Sequence, residues 1–228
     1  MPPETVAASL PTLPVRVWDL PVRLFHWGLV ASVSFAWISG QMGWMEWHLW
    51  AGQCVLALVL FRILWGVLGS ESARFATFLK GPGAALSHLA EVLRRRPDHD
   101  TTHNAMGGWA AAVILLVLVV QVASGLFSDD EILTTGPLAA YAPSSLVRLA
   151  TVVHVTNQTI VLIVVAVHVL AVLLYGLLFR RDLVRPMLTG IKQLPAGTPA
   201  PRMRSVWLAL ALFLLCAAAA QGIASLGG

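Results

Sequence analysis

Long apolar stretches separated by short polar links run along most of the chain. Each of the five longest contains at most one charged residue, and they cover approximately residues 22–41, 47–69, 107–127, 149–179 and 205–224. A hydrocarbon core about 30 Å thick requires about 20 residues of α-helix at about 1.5 Å per residue. The pattern therefore predicts an all-α transmembrane bundle of five helices.

The composition excludes a soluble domain. Hydrophobic residues make up 57% of the 228 residues, charged residues make up only 11%, and the mean hydropathy is +0.77. The net charge of +4 comes from lysines and arginines that cluster beside the apolar stretches, which is not the distribution of a nucleic-acid-binding surface. We expect the chain to contact membrane lipid and no nucleic acid.

The cysteines and the first twenty residues limit the possibilities further. Cys54 and Cys216 lie in apolar stretches, and there is no Cys-x-x-Cys-His motif, so any haem is held without covalent bonds. The first twenty residues contain four prolines and lack the apolar core and cleavage site of a signal peptide. We interpret them as a mostly irregular cytoplasmic tail.

The distribution of charge predicts the orientation in the membrane. Most basic residues fall on one side, at Arg16, Arg23, Arg74, Lys80, Arg94, Arg95, Arg96, Arg180, Arg181, Arg185, Lys192, Arg202 and Arg204. The opposite links carry Glu46, Asp129, Asp130 and Glu131 with only Arg148. Because lysine and arginine mark the cytoplasmic side, we expect a bacterial inner-membrane protein with a cytoplasmic N-terminus and a periplasmic C-terminus.

Tryptophans repeat this division between the two sides. We expect Trp18, Trp27, Trp65, Trp109 and Trp207 at the inner interface and Trp44, Trp47 and Trp50 at the outer one. Tryptophan is enriched at both membrane interfaces because its ring is amphipathic. The two signals predict the same topology.

Four of the seven histidines lie within the predicted spans, where ionisable side chains are costly and usually face a partner inside the bundle. His154 and His168 are fourteen residues apart, which returns to nearly the same helix face about 21 Å farther along the axis. His26 begins the first helix at the cytoplasmic side, and His48 begins the second at the periplasmic side. Depth therefore pairs His26 with His168 and His48 with His154.

Neutral imidazole is a good ligand for haem iron, and facing helices of a bundle are a usual place for such a site. The four histidines are therefore predicted metal ligands for two b-type haems stacked across the bilayer. The alternative is that these histidines only form hydrogen bonds between helices. Four histidines at paired depths favour the haem interpretation over this alternative. His88 and His99 are expected to be solvated surface residues without a role.

Three further residues are candidates for cofactor contacts. Gly52, one turn after His48, would let a porphyrin approach the backbone, although ordinary close packing of helices explains it equally well. Arg62 points to the same side as His48 and could pair with a haem propionate, or extend to the inner interface. His103 could contact a propionate or a quinone head group, or belong to a plain helix cap, which we favour.

Several motifs occur together over about residues 15–192. They are Val17-Trp18-Asp19-Leu20-Pro21-Val22-Arg23-Leu24-Phe25-His26-Trp27, His48-x-x-x-Gly52, Arg62 with Trp65-Gly66, Arg74-Phe75, His103-Asn104 with Gly107, and the pair His154 and His168. With these motifs the sequence resembles the bacterial cytochrome b561 family, which includes the b-type cytochrome subunits of nickel-iron hydrogenases.

The resemblance implies a four-helix core with two b haems, ligated by His26, His48, His154 and His168. It also implies electron exchange with the quinone pool and a periplasmic redox partner, such as a c-type cytochrome or a hydrogenase. We predict a di-haem membrane domain over residues 1–192, and a linker with an additional transmembrane helix over residues 193–228. The simplest relatives lack that fifth helix, which could contact a partner or a second copy in a homodimer.

Two other functions fit parts of the pattern. Some relatives oxidise superoxide at the periplasmic face and reduce ubiquinone, but an acidic outer link is a poor approach for an anion. A haem-free transporter with histidines as cation ligands is the second alternative, and two separate histidine depths argue against its single midplane site. The carboxylates of Asp129, Asp130 and Glu131 could attract a basic redox partner, or simply solvate the link.

Overall fold

The computed structural model describes residues 11–81, 83, 84, 87, 101–132 and 134–227. The α-helices with both ends among the described residues are α1 (Leu20–Gln41), α2 (Met45–Leu68), α3 (Phe75–Phe78), α4 (Ala105–Leu126), α5 (Ser144–Phe179), α6 (Val184–Thr189) and α7 (Val206–Ala224). Five of them, α1, α2, α4, α5 and α7, are long and apolar enough to cross a membrane. They coincide with the five predicted spans, and the prediction of a helical membrane bundle is confirmed.

Some sequence predictions fall outside the described residues. These are the surface positions of His88 and His99, the cytoplasmic position of Arg94, Arg95 and Arg96, and the first ten residues of the tail.

Polar side chains mark the starts of three spanning helices. Asp19 precedes α1, and its Oδ1 accepts a hydrogen bond of 2.8 Å from the Val22 backbone N–H. Asn104 precedes α4, and its Oδ1 accepts one of 2.7 Å from the Gly107 N–H. Ser205 does the same for α7. These side chains satisfy backbone donors that have no partner inside the helix.

Helix α2 lies at the centre of the bundle. It packs against α1 on one side and α7 on another, while α5 packs along α4. Phe61 of α2 contacts Phe213 of α7 edge-on, with ring centroids 6.0 Å apart, and Cys216 is buried in the same cluster. The additional fifth helix is therefore part of this bundle, packed on α2 of its own chain.

A two-stranded antiparallel sheet joins the N-terminal segment to the segment after α6. Strand β1 (Thr12–Arg16) pairs with β2 (Ile191–Pro195), with Pro14 opposite Gln193. The prediction of an irregular tail is wrong for these residues, because the partner strand is far away in sequence and invisible to a local pattern. Strand β2 also crosses the predicted domain boundary between residues 192 and 193.

Hydrogen bonds between distant segments define the two ends of the bundle. At the end that carries the sheet, Glu71 Oε2 accepts from the Arg202 backbone N–H at 2.9 Å, and Ser70 Oγ accepts from the Arg204 N–H at 3.0 Å. At the opposite end, the Tyr141 hydroxyl donates to the Leu226 carbonyl at 3.3 Å. The α2–α3 link and the segments around the sheet thus share one end, and the last residues of the chain lie at the other.

The predicted tryptophan belts need one correction. Trp44, Trp47 and Trp50 are exposed, and so are Trp27, Trp109 and Trp207. Trp18 and Trp65 are buried, with Trp65 completely enclosed. Their assignment to the inner interface is wrong, because both rings fill the core beneath the sheet.

Candidate functional site

His48 and His154, expected at the outer end of the bundle, lie beside one another. His48 is in the first turn of α2, and His154 is near the start of α5. Their ring centroids are 6.1 Å apart and their planes are nearly perpendicular, at 86°. Two imidazoles on opposite sides of one metal have centres about 6 Å apart, since each metal–nitrogen bond is about 2 Å and the ring centre lies about 1 Å beyond. The spacing fits a shared metal centre.

Each of these rings forms a hydrogen bond to a backbone carbonyl of the neighbouring helix. His48 Nδ1 lies 2.7 Å from the Ala36 carbonyl of α1, and His154 Nδ1 lies 2.9 Å from the Gln121 carbonyl of α4. A carbonyl can only accept, so Nδ1 carries the proton and Nε2 keeps its lone pair. Metal-ligating histidines usually make such a bond with the nitrogen that does not bind the metal.

Two glycines allow both rings to approach the neighbouring backbone. A Cβ at Gly40 of α1 would lie 3.0 Å from His48 Nδ1, and a Cβ at Gly125 of α4 would lie 2.8 Å from His154 Cε1. A larger residue would therefore displace each ring. The sequence interpretation missed both positions, because a helical glycine says nothing about its neighbour until the packing is known.

A group of amide side chains surrounds His154. The Gln121 amide nitrogen donates to the His154 carbonyl at 3.1 Å, and it also lies 3.4 Å from the ring Nε2. The Asn157 amide donates to Gln121 Oε1 at 2.8 Å and to the Val117 carbonyl at 3.0 Å. Asn157 is buried. The sequence interpretation also missed these residues, although two amides inside apolar spans are a usable signal.

The inner histidines, His26 and His168, have different surroundings. His26 lies in the second turn of α1 and contacts Trp27 edge-on, with ring centroids 5.0 Å apart. Its Nδ1 is buried and has no hydrogen-bond partner among the described residues. Positive charge on His26 or on His168 would lower the pKa of His103, so both side chains lie near that residue. The structure therefore brings the predicted inner residues into one region.

Arg62 is buried in this region and does not extend to the surface. Only 6% of the residue is exposed, and its guanidinium carbon lies 4.9 Å from the centre of the Phe75 ring and 5.7 Å from that of Phe78. Its Nη1 is buried without a hydrogen-bond partner in the described part of the chain. The rings compensate part of the lost hydration of the cation. The remaining donor is suited to an anionic acceptor.

His103 is enclosed by aromatic rings. Its centroid lies 4.7 Å from those of both Trp18 and Phe78, and its Nδ1 is buried with no partner among the described residues. Burial, then the positive charges of Arg62, His168 and His26, lower the pKa of His103 to about 3. The helix cap that we favoured for this segment is formed by Asn104, so His103 itself is not the cap.

Asp19, the residue before α1, connects the inner region to the start of that helix. Its Oδ1 caps the helix, and its Oδ2 accepts a hydrogen bond of 3.0 Å from the buried Trp65 Nε1–H. Asp19 is 5% exposed, and its negative charge acts on Arg62. This carboxylate therefore joins the start of α1 to the last turn of α2 and offsets part of the buried positive charge.

Gly52 lies one turn after His48 on α2. A Cβ at this half-buried position would meet no protein atom within 4 Å. Close packing of two helices, the alternative explanation for Gly52, therefore has no support in the structure. The position is suited to a flat ligand beside the His48 ring.

A family comparison agrees with this arrangement. A family model described as prokaryotic cytochrome b561 matches residues 17–190, which include both histidine pairs. The chain belongs to the prokaryotic cytochrome b561 family. It is therefore a membrane b-type cytochrome that functions in electron transfer, and the expectation of b-type haem is confirmed at this level. No curated protein matches the chain.

The residues of the site fit a b-type haem. Each outer ring has its Nδ1 hydrogen-bonded to a carbonyl, so Nε2 is the nitrogen that would bind iron. At His154 the Gln121 amide nitrogen also lies 3.4 Å from that atom. The inner region offers a buried donor without a partner on Arg62 and a buried ring nitrogen without a partner on His103. An arginine donor suits the carboxylate of a haem propionate. The number of haems and their ligands stay predictions.

Proposed function

We propose that the chain is a quinone-linked di-haem electron carrier of the bacterial inner membrane. His48 and His154 bind one haem near the periplasm, and His26 and His168 bind the other near the cytoplasm. The observation that carries this proposal is the outer pair, with rings 6.1 Å apart and each Nδ1 on a carbonyl. When bound, the haem iron accepts and releases single electrons.

At the inner site, Arg62 and His103 bind acceptor groups. Each has a buried nitrogen without a partner among the described residues, and an unpaired buried donor is costly. A haem propionate is the acceptor proposed for Arg62, because an arginine pairs strongly with a carboxylate. A propionate or the carbonyl of a quinone head group is proposed for His103. Trp18 and Phe78, which pack against His103, exclude water from it.

The inner end is proposed to face the cytoplasm. Its described links and segments carry Arg16, Arg23, Arg74, Lys80, Arg180, Arg181, Arg185, Lys192, Arg202 and Arg204, whereas the opposite links carry Glu46, Asp129, Asp130, Glu131 and Arg148. Hydrogen bonds such as Glu71 to Arg202 and Val17 to Gly190 support placing the basic segments at one end. Positive residues mark the cytoplasmic side, so the C-terminus is periplasmic.

A periplasmic c-type cytochrome or hydrogenase-like protein is proposed as the partner at the outer end. The link between α4 and α5 presents Glu131, which is exposed, beside Asp129 and Asp130. The Asp130 Oδ1 accepts backbone hydrogen bonds from Ile132 and Thr134. A group of carboxylates favours approach of a basic partner surface.

The first test is spectroscopic. The purified chain should give a reduced-minus-oxidised spectrum of b-type haem, with two haems per chain by pyridine haemochrome. His154→Ala and His168→Ala should each remove or alter one haem and leave the other spectrum unchanged. A colourless wild-type protein, or one haem altered by both substitutions, would contradict the proposal.

A second measurement addresses the electron donor and acceptor. Haem reduction by a quinol analogue should be fast in wild type and slower in His103→Gln. A basic c-type cytochrome should then reoxidise the protein at a rate that falls with salt, because screening weakens attraction between opposite charges. Rapid haem reduction by superoxide, followed by reoxidation by a ubiquinone analogue and without electron transfer to the c-type cytochrome, would favour the superoxide alternative instead.

A further inference from the structure

Helix α5 carries both His154 and His168, yet it has few buried contacts. Only Ala150, Asn157 and Val161 are buried along its 36 residues, and its main packing partner is α4. Apolar contacts are non-directional, so these few contacts define the shift and the rotation of α5 only weakly. Something more specific must therefore set the position of α5, since a slip of one residue moves it by about 1.5 Å and turns it by about 100°.

Asn157 is the polar member of that buried set, and it joins α5 to α4. Its amide donates to Gln121 Oε1 at 2.8 Å and to the Val117 carbonyl at 3.0 Å. In return, the Gln121 amide donates to the His154 carbonyl at 3.1 Å. Three hydrogen bonds thus connect one turn of α4 with one turn of α5. We call Gln121 and Asn157 the amide clamp.

The same turn of α4 supplies the acceptor for His154. His154 Nδ1 lies 2.9 Å from the Gln121 backbone carbonyl, so the residue whose side chain belongs to the clamp also orients the ring. Ser124 Oγ lies 3.5 Å from the same nitrogen. Loss of the clamp would free α5 to shift, and the ring would lose its fixed acceptor.

We propose that Gln121 and Asn157 are positioning residues, which hold His154 on the Gln121 carbonyl and thereby lower the reduction potential of the outer haem. This inference rests on the proposed function. Donation from Nδ1 to a carbonyl makes the imidazole a more basic ligand, and a more basic ligand favours ferric over ferrous iron. His26, one of the two proposed ligands of the inner haem, has no such acceptor, because its Nδ1 has no partner in the described residues.

The experiment compares Gln121→Leu and Asn157→Leu with the control Thr159→Val, which removes a polar group from the exposed side of the same turn of α5. Potentiometric titration and low-temperature electron paramagnetic resonance of the full chain follow each haem separately. The outer haem is the one that responds to His154→Ala. In both clamp variants its reduction potential should rise by about 59 mV, which is a tenfold change in the equilibrium for one-electron exchange with the inner haem. Its ferric signal should also change, because the ring orientation changes.

A second clamp variant covers the case in which leucine prevents folding. Asn157→Ser leaves a small polar residue that helix interfaces accept, but its hydroxyl is too short to reach Gln121 Oε1. It should raise the same potential in the same direction.

Equal shifts of both haems, or no shift in any clamp variant with two haems bound, would overturn this inference alone. A wild-type protein without two haems would instead overturn the proposed function on which it rests.

Discussion

The two histidine pairs consist of the same residue type but are held in opposite ways. At the outer end, His48 and His154 each have a backbone carbonyl on Nδ1 and a glycine beside the ring. At the inner end, His26 has a buried Nδ1 with no partner among the described residues, and a buried cation, Arg62, lies in the same region. The surroundings of the outer histidines are therefore defined mainly by backbone carbonyls and glycines. Those of the inner histidines are defined mainly by a charged side chain.

This difference shows how one fold can give two histidine pairs, which we propose as haem ligands, different properties. A carbonyl acceptor makes a ligand histidine more electron-rich and favours ferric iron. A buried positive charge favours the ferrous state, which has one positive charge less. Substitutions at the outer site should therefore act through geometry, and substitutions at the inner site through charge.

The largest effect is expected from Gly52→Leu. No protein atom lies within 4 Å of a Cβ at this position. Contacts within the protein alone therefore predict that the leucine changes neither the fold nor the haem count. If a haem lies against Gly52, the leucine should reduce the haem count from about two per chain toward one. Gly222→Leu is the control, because Gly222 is exposed on α7 and its Cβ is also free of contacts. A full haem count in Gly52→Leu would contradict the outer haem position.

The next largest effect is expected from Gly125→Ala. The new Cβ would lie 2.8 Å from His154 Cε1, so the ring must move, at a cost of about 1–3 kcal/mol. The outer haem spectrum should shift while the inner spectrum stays the same. Thermal unfolding, followed by haem absorbance, measures the loss of stability. Difference spectra measure the shift of the outer haem. A shift confined to the inner haem would reverse the assignment of the two sites.

A smaller effect is expected from Arg62→Met, which removes a buried cation but keeps a long apolar side chain beside Phe75 and Phe78. A buried positive charge beside the inner haem favours its ferrous form, which carries one positive charge less. The inner haem potential should therefore fall in Arg62→Met, and the outer potential should change less. Arg62→Lys, which keeps the charge, is the control. An unchanged inner potential in Arg62→Met would argue against a role of this charge.

The smallest effect concerns pH. Because the pKa of His103 is about 3 in the folded protein and about 6.5 in an unfolded chain, acid protonates the unfolded state first. This contribution to stability is complete above about pH 6.5 and is lost as the pH falls, by at most about 1.4 kcal/mol per unit. In His103→Gln, Tm should depend less on pH between about 7.5 and 5. Equal slopes in variant and wild type would show that folding does not lower the pKa of His103.

The parts of the site that could be predicted from sequence are those that depend on local period and depth. The paired depths of His48 and His154 follow from helix rise and from the order of the spans, and in the structure the two rings lie 6.1 Å apart. Gly40, Gly125, Gln121 and Asn157 could not be assigned in this way, since each acts through a partner on another helix. Likewise, the position of Trp65 depends on its hydrogen bond to Asp19.

The sequence by itself determined that this protein is a membrane helical bundle with histidines at two depths, because apolar length and helical period are properties of single segments. Its motifs also carried the resemblance to a cytochrome family. Only the tertiary structure decided that strand β1 pairs with β2, that α7 packs on α2, and that the two histidine pairs have different surroundings. Those features arise from contacts between residues far apart in the chain, and no local pattern of hydrophobic and polar positions encodes which distant groups will meet.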